Sequence, residues 1–173
     1  KSIFLVTNGQ EPDMIQKLQD EDALPTQLYL STNAADYESF LKINKPKYDD
    51  SWERWNRTLD MLKNLDTRTV LRITLIRDYN DQKEMIPAFA DMFRKASPHF
   101  IEIKSYMHIG RSTNRLEHEN MLEMHEVKKF SEQIAKQSKI FSVMDESLVS
   151  RISILQNNER FIDRYIPTYA NTN

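Results

Sequence analysis

A chain of 173 residues with 39% hydrophobic and 29% charged side chains is long enough for one domain with a continuous core, and no apolar run approaches the roughly 20 residues of a membrane-spanning helix. Its formal charge of -2 excludes the global positive field of many nucleic-acid binders, so any RNA contact has to come from a local patch. The absence of cysteine excludes disulfides, zinc–thiolate sites and iron–sulfur ligation by this chain itself.

Strand-like apolar sequence starts at Ile3, directly after Lys1, with no leader or transit segment. This predicts that the N-terminal part of a larger cytoplasmic protein is missing. "SIFLVTN" is the first strand, and Met14, Ile15 and Leu18 at helical spacing behind Pro12 predict a helix over 11–20. "TQLYLST" is the second strand. A short helix is expected over 34–43, then a longer one over 51–65 with Trp52, Trp55, Leu59 and Leu62 as its apolar stripe. "TVLRITLI" is the third strand, a helix over 82–95 presents Met85, Phe89, Met92 and Phe93, and "FIEIKSYM" is the fourth. A loop holding Gly110 leads to a helix over 121–137 with Val127, Phe130 and Ile134 as its core face. "IFSVMDE" and "SRISIL" read as two further strands, followed after Asn157 by a polar, frayed tail.

Strand, helix and strand in repeated alternation predict an α/β fold of parallel strands with right-handed crossovers and outer helices. In such sheets the loops at the C-terminal strand ends carry the chemistry. Both glycines of the chain, Gly9 and Gly110, fall there, at positions where backbone must turn tightly.

A parallel strand covered on both faces is nearly all apolar, yet three of these strands alternate. Leu71, Ile73 and Leu75 oppose Arg72 and Thr74; Ile101 and Ile103 oppose Glu102 and Lys104; Leu28 and Leu30 oppose Gln27, Tyr29 and Ser31. One face packs on helices and the other is polar enough to line a cavity, which predicts a partial barrel with a wet, charged lumen. Arg72, Glu102 and Lys104 are either a barrel-filling salt-bridge network or the grip on a zwitterionic or carboxylate-bearing ligand. Thr7 and Asn8 serve the turn at Gly9 or a ligand, and Asn33 can N-cap the next helix or face the lumen beside Ser31. The loop "GRSTNR" puts Arg111 and Arg115 on the same rim, as solvated surface or as phosphate contacts. The four histidines have no zinc spacing, no metal site is expected, and no P-loop, GxGxxG or catalytic triad is present, so a catalytic residue cannot be named.

In order along the chain, "FLVTNGQ", "LPTQLYLSTNA", "SWERW", "TRTVLRITLIRDYN", "FIEIKSYMHIGRSTNRL", "NML" and "DESLVSRISIL" resemble the radical S-adenosylmethionine wyosine synthases, the tRNA 4-demethylwyosine synthases, and the archaeal form above the eukaryotic. The likeness runs to about residue 155. It implies the C-terminal portion of a partial (β/α) barrel of the radical S-adenosylmethionine type over residues 1–156, with 157–173 as an extension. The implied activity of the parent enzyme joins pyruvate-derived carbons to N1-methylguanosine beside the anticodon of phenylalanine tRNA. It uses S-adenosylmethionine and [4Fe–4S] clusters whose cysteine ligands lie outside this chain, so this chain alone is expected to be inactive. The resemblance places Thr7, Asn8, Ser31, Asn33, Arg72 and Thr74 toward the cofactor, although the family often has Asp where Asn33 stands. Glu102 and Lys104 of the lumen, with Glu146, Ser150 and Arg151 of "DESLVSR", lie near the barrel mouth, and Arg111 and Arg115 face tRNA. Two other readings stay open: a fragment of a glycyl-radical activating enzyme, whose rim would be a smooth protein-docking surface, and a non-catalytic α/β ligand-binding module.

Overall fold

The computed structural model describes residues 1–166. Its elements follow one another as β1 (Phe4–Thr7), α1 (Pro12–Asp20), β2 (Gln27–Ser31), α2 (Tyr37–Asn44), α3 (Ser51–Met61), β3 (Arg68–Leu75), α4 (Ile86–Ala96), β4 (Phe100–Ser105), α5 (Met124–Ser138), β5 (Phe141–Ser147) and β6 (Ile152–Asn157). The strands form one sheet in the order β1-β2-β3-β4-β6-β5. Strands β1 to β4 are parallel. β6 runs antiparallel to β4, and β5 antiparallel to β6. The two late strands therefore depart from the all-parallel expectation: the connection from Ser147 to Ile152 is far too short for a crossover and closes only a hairpin.

The apolar face read in the sequence is fully buried, while the opposite face is mixed, with Gln27, Val70, Phe100 and Glu102 buried and Tyr29, Arg72, Thr74 and Lys104 partly exposed. Leu28, Leu30, Leu71, Ile73, Ile101, Ile103 and Leu155 are fully buried on one face, in a single cluster with Ile15 of α1, Trp55 and Leu59 of α3, Phe89 and Phe93 of α4, and Phe130 and Ile134 of α5. All the long helices thus lie on one side of the sheet, and the opposite side carries the polar set. This is a partial (β/α) barrel. Trp52 and Trp55 stack at 5.3 Å between centroids, and Phe40 packs edge-on to Trp52 at 5.2 Å, which locks α2 to α3.

Helix ends moved where capping chemistry outweighed apolar spacing. Asp36, not Asn33, caps α2, its carboxylate accepting from the Ser39 N–H at 2.9 Å, so the helix starts three residues later than expected. α3 ends at Met61 and passes into a single 3-10 turn, Leu62–Asn64. The segment ahead of α5 is a 3-10 turn over His118–Asn120, and a Glu123–Glu126 capping box starts the helix at Met124.

The expected frayed tail is tied down as far as it is described. Arg68 donates to the carbonyls of Asp163 at 2.6 Å and Arg164 at 2.9 Å, Gln156 Nε2 donates to the Ile162 carbonyl at 2.9 Å, and Arg160 donates to the Ser97 carbonyl. Arg68 and Gln156 of the sheet satisfy carbonyls of the crossing segment, and Arg160 of that segment satisfies a carbonyl after α4 in return, so its polar backbone is paired where it lies on the sheet. The end of the expected tail, residues 167–173, lies outside the described residues.

Candidate active-site face

Strand alternation places Tyr29 and Ser31 of β2, Arg72 and Thr74 of β3, and Glu102 and Lys104 of β4 on the helix-free face, in adjacent register: Ser31 beside Arg72, Arg72 beside Glu102, Thr74 beside Lys104. Arg72 Nε donates to Glu102 Oε1 at 2.7 Å and Nη2 donates to Oε2 at 3.3 Å. The guanidinium also lies over the Tyr29 ring, 4.4 Å from its centroid. The Arg72 and Glu102 side chains are only 29% and 11% exposed, so neither splays into solvent. Partial burial of such charges is tolerated because the pair is bidentate and one face of the cation rests on an aromatic ring. Burial, and then the Glu102 charge, push the Tyr29 hydroxyl above the ordinary phenol range, which keeps it a neutral donor. Lys104 is half-buried, and it forms no ion pair with any of the described residues.

At the rim a second network holds the strand ends. Asn33 Oδ1 accepts from the Thr74 N–H at 3.0 Å. The fully buried Asn80 donates from Nδ2 to the carbonyls of Asn33 and Thr74, both at 2.9 Å, and accepts from the Ile76 N–H at 2.7 Å. The Ser31 carbonyl accepts from Trp55 Nε1 at 3.1 Å. Asn33 is therefore neither a helix cap nor free: its amide oxygen staples β2 to β3.

Gly9 answers to close approach as well as to its φ of +75°. A Cβ there would meet Leu30 Cδ1 at 2.7 Å and Trp55 Cδ1 at 3.2 Å, and its carbonyl accepts from Thr58 Oγ1 at 2.8 Å. The two residues before it serve this turn: Thr7 Oγ1 accepts from the Gly9 N–H at 3.1 Å and Asn8 Oδ1 from the Gln10 N–H at 3.2 Å. Thr7 pairs with Leu30 and so lies on the side of the sheet that carries the helices.

The residues of the late motif are dispersed. Glu146 pairs in register with Ser153 and reaches Lys128 of α5 at 3.3 Å, on the helix side. Ser150 sits exposed in the β5–β6 turn. Arg151, at φ +49°, donates to the Leu122 carbonyl at 3.1 Å and approaches Glu123 at 3.3 Å, tying that turn to the loop ahead of α5. Arg111 and Arg115 are exposed on the 3-10 turn Gly110–Asn114 and its end.

Tyr29, placed on the polar face by strand alternation, was given no role from the sequence, and Asn80 at the rim was not singled out at all. Tyr29 was legible, since it shares a strand face with Ser31 and an aromatic ring beside an inward arginine is a stacking partner. Asn80 carries no such signal, because only the folded loop shows that its three partners converge.

Three comparisons bear on what this face belongs to. A family model described as Wyosine base formation matches residues 95–157. The chain is 41% identical over 162 residues to the S-adenosyl-L-methionine-dependent tRNA 4-demethylwyosine synthase of Methanocaldococcus jannaschii, covering 92% of this chain and 48% of that protein. It superposes with a TM-score of 0.80 and 40% identity on a structure of TYW1 with a lysine-pyruvate adduct bound, over 92% of this chain and 48% of the other. A fold-level likeness extends to Escherichia coli coproporphyrinogen III oxidase, a radical SAM enzyme, with a TM-score of 0.53 at 12% identity over 91% of this chain and 35% of the other. The chain spans about half the length of the curated archaeal relatives it matches.

Proposed function

We propose that this chain is one part of a radical S-adenosylmethionine tRNA 4-demethylwyosine synthase, residues 1–156 forming the C-terminal portion of its barrel and 157–173 an extension that crosses the sheet. The whole enzyme condenses pyruvate-derived carbons with N1-methylguanosine of phenylalanine tRNA. The observation that carries this reading is the Tyr29–Arg72–Glu102 constellation on the helix-free face, on a chain whose relatives bear that activity in their names.

The donor set fits the methionine moiety of S-adenosylmethionine. Arg72 gives two N–H groups to Glu102, and a guanidinium has five, so three remain for a carboxylate. Glu102 offers acceptor positions to an ammonium group, and the Ser31 and Thr74 side chains extend the polar face. Arg72, Glu102, Ser31 and Thr74 would hold S-adenosylmethionine, which with a [4Fe–4S] cluster would supply radical chemistry for the condensation. The chain contains no cysteine, so in this reading the cluster is held by the rest of the enzyme. Lys104 adds a positive charge suited to a small carboxylate such as pyruvate, while Arg111 and Arg115 offer phosphate contacts to the tRNA. The roles of Thr7, Asn8 and Asn33 differ in kind: they fix the turn and strand ends from which the other groups project.

Calorimetry on the full-length enzyme tests the reading. Arg72→Ala should weaken S-adenosylmethionine binding by about 1.5–3 kcal/mol, the worth of a hydrogen bond to a charged group. A variant that melts earlier yet binds with unchanged affinity would show that the ion pair only fills the barrel.

A further inference from the structure

A second concavity opens on the rim, outside the polar face. Its volume is about 200 Å³, with Ile76 and Leu116 as floor, Tyr79 as wall, and Lys42, Lys45 and Arg115 around it. It lies next to the rim network, since Asn44, between the lining residues Ile43 and Lys45, brings its Oδ1 to 3.5 Å from Asn33 Nδ2. Ile76 and Leu116 are each 8% exposed and belong to a small apolar cluster of their own. Lys42 Nζ stands 4.8 Å from the Tyr79 ring centroid.

The charge around this pocket is of one sign, and it surrounds an aromatic ring. No carboxylate lines it, and among the described residues none of its three cations forms an ion pair. Uncompensated cations gathered in one place attract an anion. An apolar floor with an aromatic wall accepts a flat ring, and the volume is below the roughly 300–1,000 Å³ of pockets for drug-sized ligands, so it suits a single base.

We infer that this pocket takes one nucleotide of a single-stranded RNA segment, its base against Tyr79, Ile76 and Leu116 and its flanking phosphates on Lys42, Lys45 and Arg115. The proposal rests on the tRNA-modifying reading above and deepens it: a loop nucleotide next to the modified one is anchored here while its neighbour enters the barrel mouth. Stacking of bases on aromatic side chains with phosphates on basic ones is the usual way single strands are held.

The test uses the full-length enzyme and fluorescence anisotropy with three probes: tRNA carrying N1-methylguanosine, a seven-nucleotide single-stranded RNA, and free AMP as competitor. Lys42→Gln with Lys45→Gln should weaken tRNA binding at least about tenfold and reduce the slope of log affinity against log salt by about 1.4, from about 0.7 per lost phosphate contact on a single strand. Tyr79→Ser should weaken it by about 5–150-fold, whereas Tyr79→Phe should bind like wild type. Unchanged affinity and slope in the lysine variant, with product still formed, would overturn the pocket and leave the enzymatic reading standing. Tight AMP binding that Tyr79→Ser abolishes, with tRNA affinity untouched, would also overturn it in favour of a free-nucleotide site. If wild type forms no product but binds the seven-nucleotide RNA in a Tyr79-dependent way, the pocket stands and the enzymatic reading falls.

Discussion

At the scale of single residues, His99 shows how the floor of the sheet is chemically tuned. The Thr69 N–H donates to His99 Nδ1 at 3.1 Å, which fixes that nitrogen as an acceptor, and the Arg160 guanidinium lies 3.4 Å from Nε2. Burial first, then the charges of Arg160 and Arg68, bring the imidazole down to about 4, against about 6.5 when unfolded. The folded state therefore holds fewer protons than the unfolded state between these values, and stability rises with pH across that window. Lowering the pH from 7 to 4.5 should cost about 1–2 kcal/mol through this group, after discounting for its partial exposure. Urea denaturation at both pH values checks this, with His99→Gln losing that component; an unaltered pH dependence in the variant would assign the effect to other groups. Residue identity alone did not reveal this histidine, because its environment is built by Thr69 and by Arg160, 61 positions further on.

At the scale of elements, the extension beyond β6 acts as a strap. Arg68, Gln156 and Arg160 hold its carbonyls or use its side chains to hold Ser97, and Arg164 pairs with Asp145 of β5. Beneath it lies a cavity of about 160 Å³ bordered by Tyr29, Arg68, Phe100, Glu102 and Asp145. Ending the chain at Asn158 should remove several charge-assisted hydrogen bonds and lower stability by about 2–3 kcal/mol, or roughly 5–10 °C in Tm for a protein of this size. Calorimetric melting of the two lengths decides it, and equal Tm values would show the strap to be idle. Strands were legible because period-2 alternation is a strong local signal, and so was the α5 core face, where Val127, Phe130 and Ile134 are buried. What local reading missed was long-range or competitive: the strap's bonds to Arg68 and Ser97 span 63 to 97 positions, and Asp36 outcompeted the earlier start of α2. The hairpin of β5 and β6 could have been read from its short connection. For the candidate site, the inward set of Arg72, Glu102 and Lys104 was visible from strand parity, whereas the stapling by Asn33 and Asn80 depends on loop geometry that no spacing encodes.

At the scale of the whole molecule, the sheet is asymmetric. At one end it finishes in an antiparallel pair whose outer strand, β5, pairs with β6 alone among the described residues. At the other, β1 pairs with β2 alone among the described residues, and Ile3, Phe4 and Val6 are 65%, 55% and 52% exposed. An apolar strand with one open edge is a template for another strand. The proposal that this chain is part of a longer barrel therefore predicts that further strands cover β1 in the full-length enzyme. Hydrogen exchange distinguishes the two situations, since amides at an open edge exchange through small local openings while those inside a sheet require larger ones. Amides of residues 3–7 should exchange at least about tenfold more slowly in the full-length protein than in the isolated chain, while those of β3, with a strand on each side in this chain, should change far less. Equal rates at β1 in both proteins would mean that its edge stays open, and that the concave face carrying Arg72 and Glu102 is completed in some way other than by adding strands beside β1.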